Sequence, residues 1–175
     1  MTSLRYPIGP FTPPADLTKA DRDGYIAVLE AAPDKLRAAI SGLSEAQLDT
    51  PYRDGGWTVR QVIHHVPDSH MNSYIRFKWA LTEDKPTIKT YFEERWAELP
   101  DARETPVAVS LNLLAALHQR WTALLQGMTE ADFARTFVHP ETGPQTLAGS
   151  LALYAWHGEH HIAQITQLRE QKGWV

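Results

Sequence analysis

Apolar residues return at intervals of three and four in four separate stretches of this chain, each bounded by residues that start or stop helices. The spacing predicts a first helix from about Asp23 to Ile40, carried by Tyr25, Ile26, Leu29, Leu36 and Ile40 and stopped at Gly42. Pro33 is expected to kink or split it. A second helix begins after Thr58, with Gln61 placed for a capping box, and runs through Val59, Val62, Ile63 and Val66 to about Leu81. Thr105-Pro106 reads as N-cap and first turn of a third helix, whose face is Val109, Leu113, Leu114, Leu117, Trp121, Leu124 and Leu125 and whose end is near Gly127. A fourth starts at Thr146 and carries Leu147, Leu151, Tyr154, Ile162, Ile165 and Leu168 to Gly173. Strand signals are weak throughout, so the predicted class is all-α, a four-helix bundle in one domain, residues 1–175. Residues 1–17, with Pro7, Pro10, Pro13 and Pro14, should form an extended arm, and a long connection joins helices two and three.

Composition narrows the function. Hydrophobic residues at 43% and charged residues at 22% exclude a disordered chain, and no window is apolar enough to span a bilayer. The net charge of -4 and the lack of basic runs argue against nucleic acid as a partner. The start has no basic segment leading into an apolar one, and cysteine is absent, which together point to the cytoplasm.

The chain echoes itself: the stretch Ile40 to Leu48 (ISGLSEAQL) matches Leu125 to Phe133 (LQGMTEADF) position by position. Each copy ends a long helix at glycine, opens a short one on Ser or Thr, and leads toward a helix bearing histidines. Two halves related by a pseudo-twofold would explain it; independent use of a common helix-ending pattern would look the same.

Six of the eight histidines fall in two clusters, His64, His65 and His70 on helix two and His157, His160 and His161 on helix four; His118 and His139 stand apart. His157 and His161, four residues apart, share one helical face and can converge on an ion. Such pairs also arise by chance on exposed helices. A third ligand must come from elsewhere, and His65 is the natural candidate if the echoed halves bring helices two and four together. Three imidazoles with a free coordination position describe a catalytic site better than a sealed structural one. Glu159 is wrongly spaced for a zincin, and the Glu-x-x-His pairs of a di-iron bundle are missing.

At these residues the chain resembles the DinB/YfiT-like superfamily, and within it the bacillithiol-transferase branch, long described as metal-dependent hydrolases. The likeness rests on WTVRQVIHH (57–65), DSH (68–70), NSYIRFK (72–78), the tract Leu81–Lys89, and WHGEHHIA (156–163) with Leu168-Arg169 and Gly173-Trp174, and so spans nearly the whole chain. Pro67 and Thr90 depart from the family pattern; the first removes a helical hydrogen bond next to His65, the second concerns only loop shape. The resemblance implies His65, His157 and His161 as ligands of one divalent ion per chain, zinc or nickel, in a homodimer of bundles.

Other residues admit two readings. Asp68, a turn beyond His65, could serve as the catalytic base or orient an imidazole, or form an ordinary salt bridge. Asn72 and Arg76 continue the His65 stripe and could bind an anionic substrate, or be solvated surface. His64, His70 and His160 lie off the ligand stripes, with packing, support and substrate contact all open. Trp57, Trp79, Trp96, Trp121 and Trp156 read as core or interface, and the tract Lys85–Glu104 as a lid or dimer contact. The resemblance favours an enzyme that transfers a small thiol to an electrophile through a metal-bound thiolate. Hydrolysis by metal-bound hydroxide and a non-catalytic, metal-stabilised dimeric binding protein are the alternatives.

Overall fold

The computed structural model describes residues 4–174 and contains the four long helices: α1 (Lys19–Ala39), α3 (Val59–Thr82), α6 (Val107–Gln126) and α8 (Leu147–Lys172). Short helices α2 (Glu45–Leu48) and α7 (Glu130–Phe133) follow α1 and α6, while α4 (Glu93–Trp96) and α5 (Pro100–Glu104) punctuate the long connection. Residues 1–3 of the expected arm lie outside the described residues; the rest of the arm precedes α1 without regular structure, apart from turns.

Local chemistry accounts for the ends. Thr18, Ser44, Thr58 and Thr129 each accept from the backbone three residues on, and Asp21, Gln47, Gln61 and Asp132 return the bond. The Thr18 box starts α1 four residues earlier than apolar spacing implies. At α6 the expectation needs correcting: Pro106 occupies the cap position, with no side-chain cap, and helix begins at Val107. Gly173 ends α8 at φ 63°, a left-handed conformation that glycine adopts without a Cβ clash. Pro33 does not split α1, which continues through it. Thr58→Ala should cost about 1 kcal/mol, since it orphans the Gln61 amide; urea denaturation measures it, and an unchanged midpoint would mean that packing alone starts α3.

A small sheet was not expected. β1 (Thr136–His139) and β2 (Gly143–Thr146) form an antiparallel hairpin between α7 and α8, and Pro86 to Ile88 bonds to Val138 beside it. Four-residue strands are too short to reveal alternation.

Around the bundle α1 neighbours α8 and α6, and α3 neighbours α6 and α8. Exchanging α1 with α6 and α3 with α8 leaves these neighbours unchanged, as a pseudo-twofold requires. The core divides into two apolar clusters. One gathers Leu29, Phe77, Trp121, Phe137 and Leu151, the other Leu36, Val62, Ile63, Leu114 and Ile165. Between them, at the middle of α3, α6 and α8, lies a layer of buried histidines. Polar groups so enclosed must be satisfied by one another or by a ligand. Trp121 is fully buried, whereas Trp79 and Trp96 are exposed, and Trp57 and Trp156 pack on histidine rings.

Candidate metal centre

His65 from α3 and His157 and His161 from α8 come together in the histidine layer, each offering a nitrogen within 4.8 Å of the others. His157 Nε2 stands 3.3 Å from His65 Nε2 and 3.2 Å from His161 Nε2. Imidazole nitrogens on a tetrahedral ion at bonds of 2.0–2.1 Å are about 3.3–3.4 Å apart. The donor set therefore fits a divalent cation: two of its nitrogen pairs stand at ligand spacing, the third pair lies within 4.8 Å, and the rings are neutral. Burial pushes His65 down to about 4, helped by His160, and depresses His157 and His161 well below the ordinary imidazole value, with neighbouring histidines adding to it.

The rings are oriented from behind. The Arg5 carbonyl, an acceptor only, receives the Gln164 amide at 3.3 Å, which turns Gln164 Oε1 to accept from His161 Nδ1 at 2.9 Å. With its proton on Nδ1, His161 presents a lone pair at Nε2. Gln164 also donates to His160 Nε2 at 3.0 Å, and Trp156 stacks on His160 at 4.6 Å. His70, fully buried, meets His157 Nδ1 at 3.1 Å and His118 at 2.8 Å. Gly158 packs beside this pair, where a Cβ would lie in ordinary contact with the His70 ring at 3.6 Å. His64 is taken up elsewhere, by Ser110 Oγ at 2.7 Å and the Thr105 carbonyl at 3.0 Å, and His139 accepts backbone bonds in the hairpin turn.

The sequence profile of the DinB superfamily matches residues 28–165. The chain belongs to the DinB superfamily. It is 58% identical, over 99% of its length and all of the relative's, to a Bacillus mycoides protein named as an inferred metal-dependent hydrolase. A Bacillus cereus protein carries the same name at the same identity and coverage. Among solved structures it resembles YfiT from Bacillus subtilis, described as an inferred metal-dependent hydrolase with an unusual four-helix bundle topology. That match has a TM-score of 0.96 and 53% identity and covers 98% of this chain and 99% of YfiT. TT2238, a four-helix bundle protein, shares the fold alone at 24% identity and a TM-score of 0.55, covering 81% of this chain and 94% of its own.

In this DinB-superfamily protein two cavities reach His157. One, of about 550 Å³, is lined by Ser69, Arg76, Tyr91 and Tyr154; the other, of about 820 Å³, adjoins all three ligands and is bordered by Tyr6, Trp57 and His160. Glu93, Glu94 and Arg95 of α4, within the tract Lys85–Glu104, border both. Glu93 is exposed at the surface of α4, and partial desolvation, then the charge of Glu94, raise its proton affinity. Burial also raises that of the Tyr91 hydroxyl, with a hydrogen bond to Ser69 opposing it.

Of the other residues named from sequence, Arg76 is buried at the first cavity, its guanidinium 3.5 Å from the Lys89 carbonyl. Asn72 gives its amide to the Asp68 carbonyl at 2.9 Å. Asp68 lines neither cavity; burial and then Asp101 push its carboxyl up to about 6. Glu93, Gln164 and His118 were missed. Gln164 lies three residues after His161, a position from which it can touch that ring, and was the most accessible of these signals. Among the described residues no helix is long and apolar enough to cross a membrane.

Proposed function

We propose that this DinB-superfamily protein joins a small, bacillithiol-like thiol to a small electrophile at the His65, His157 and His161 centre. The observation that carries this is the pair of cavities meeting at His157, room for two reactants at one ion. A divalent ion held there is a Lewis acid that lets a bound thiol or water lose its proton near neutral pH. Three neutral ligands leave its charge uncompensated, which favours an anionic sulfur. Glu93, with its raised proton affinity, suits the proton that the thiol gives up. Arg76 supplies a buried cation for an acidic group on the thiol. Asp68 and Asn72, which do not line the cavities, take no step in this reading. The chain's own lack of cysteine leaves the reacting sulfur to the substrate. In keeping with the family resemblance, the ion is zinc or nickel, one per chain, and the protein works as a cytoplasmic homodimer.

Hydrolysis is the second reading, favoured by the names of the relatives and by the carboxyl of Glu93 beside the centre. Metal-replete protein given bacillithiol and 1-chloro-2,4-dinitrobenzene should form the thioether, with the C–Cl bond broken and chloride released, at a rate that rises with both concentrations. Arg76→Ala should raise KM for that acidic thiol about tenfold, the worth of one charge-assisted hydrogen bond, and leave an uncharged thiol unaffected. Rapid cleavage of p-nitrophenyl acetate without thiol, and no thioether, would establish the hydrolase instead; no turnover in either assay would favour a binding protein.

A further inference from the structure

The chain of contacts behind His157 ends at a group that can only accept. His157 Nδ1 lies 3.1 Å from His70 Nε2, His70 Nδ1 lies 2.8 Å from His118 Nε2, and His118 Nδ1 lies 2.6 Å from the carbonyl oxygen of Leu29. In a regular helix that carbonyl would receive the N–H of residue 33. Residue 33 is proline, inside α1 and buried, and it has no N–H to give.

We propose that Pro33 frees the Leu29 carbonyl to set, through His118 and His70, the position of the proton on the metal ligand His157. Direction follows from the far end. The carbonyl requires the His118 proton on Nδ1, and a buried neutral imidazole has only one, so His118 Nε2 is a lone pair. It must therefore accept from His70 Nδ1–H, which makes His70 Nε2 the acceptor for His157 Nδ1–H. The proton on His157 is thereby held away from the cavity, and its Nε2 lone pair faces His65 and His161. His70 and His118 are positioning residues, acting through His157. No carboxylate takes part in the chain, so it orients a ligand without adding negative charge to the centre, in contrast to the carboxylate that often backs a ligating histidine. It spans four helices: Leu29 and Pro33 from α1, His118 from α6, His70 from α3 and His157 from α8. Closing the bundle and setting the ligand's tautomer are thus one event.

This rests on His65, His157 and His161 being a metal site, and its test separates the two claims. In metal-free protein, imidazole ¹⁵N spectra should show His118, His70 and His157 all protonated at Nδ1 and bare at Nε2, a result that needs no ion. His118→Phe should loosen zinc about 10- to 100-fold, as loss of a supporting partner does, and scatter the His157 tautomer. His118→Gln, which offers both an acceptor and a donor, should restore most of the affinity; Pro33→Ala, whose new N–H competes for the Leu29 carbonyl, should weaken zinc in the same direction by less. An Nε2 proton on His70 or His118 in the parent, full affinity in His118→Phe, or failure of His118→Gln to rescue it would overturn the proposal. A parent that binds no zinc yet has the stated tautomers would sink the metal reading and leave the chain standing. The spectra of the parent decide the matter even where the phenylalanine variant does not fold.

Discussion

His65→Ala, His157→Ala and His161→Ala should each emerge from purification with almost no divalent metal, beside a parent carrying close to one ion per chain. Two remaining imidazoles leave an ion with half a tetrahedron supplied by solvent, so the loss should exceed the roughly 10- to 100-fold expected when only a residue behind a ligand is removed. His139→Ala is the control, because that imidazole borders the first cavity but bonds to the hairpin turn. Helical circular dichroism should survive in all four variants, as the two apolar clusters do not include these rings. Elemental analysis reads the result directly. Equal metal in parent and triad variants would show that the three nitrogens serve one another and no ion.

The triad itself was legible because two of its members are neighbours on one helical face and the third lies on a helix that the internal echo brings alongside. The four long helices were legible for a similar reason: apolar spacing and caps are local, and Thr58 with Gln61 and Thr146 before Leu147 start α3 and α8 where they should. What was not legible depends on partners far along the chain. His70 lies five residues after His65, which turns it well away from the ligand stripe and toward α6, where His118 waits 48 residues on. Neither has a local pattern that separates it from an ordinary buried histidine. Pro33 reads locally as a flaw in α1, and only the fold reveals that the carbonyl it releases is used by His118. The hairpin was missed because four residues per strand carry too little alternation, and the place of α4 because the cavity it borders is built from both ends of the chain.

Metal-free protein should unfold sharply as pH falls from about 6.5 toward 4. Burial holds His65, His118 and His160 down at about 4, lowers His64, and keeps His70, His157 and His161 well below the ordinary value. Unfolded, all seven titrate near 6.5. Above that pH neither state is protonated and stability is complete; below it the unfolded chain binds protons that the folded one refuses, so stability falls with pH until the folded imidazoles themselves begin to titrate. These seven groups at pH 5 together remove on the order of 10 kcal/mol, comparable with the whole stability of a domain this size. Asp68 and Glu93 act in the opposite sense, since their raised affinities let the folded state take protons first, but they are two against seven. A bound divalent ion stabilises the folded form and competes with protons for three of the rings, so metal-replete protein should hold its structure to lower pH. Circular dichroism and tryptophan fluorescence followed against pH, with and without zinc, measure both transitions. A metal-free protein equally stable at pH 7 and pH 5 would mean that the histidine layer is charged or open to water, and the neutral, carbonyl-anchored centre would have to be abandoned.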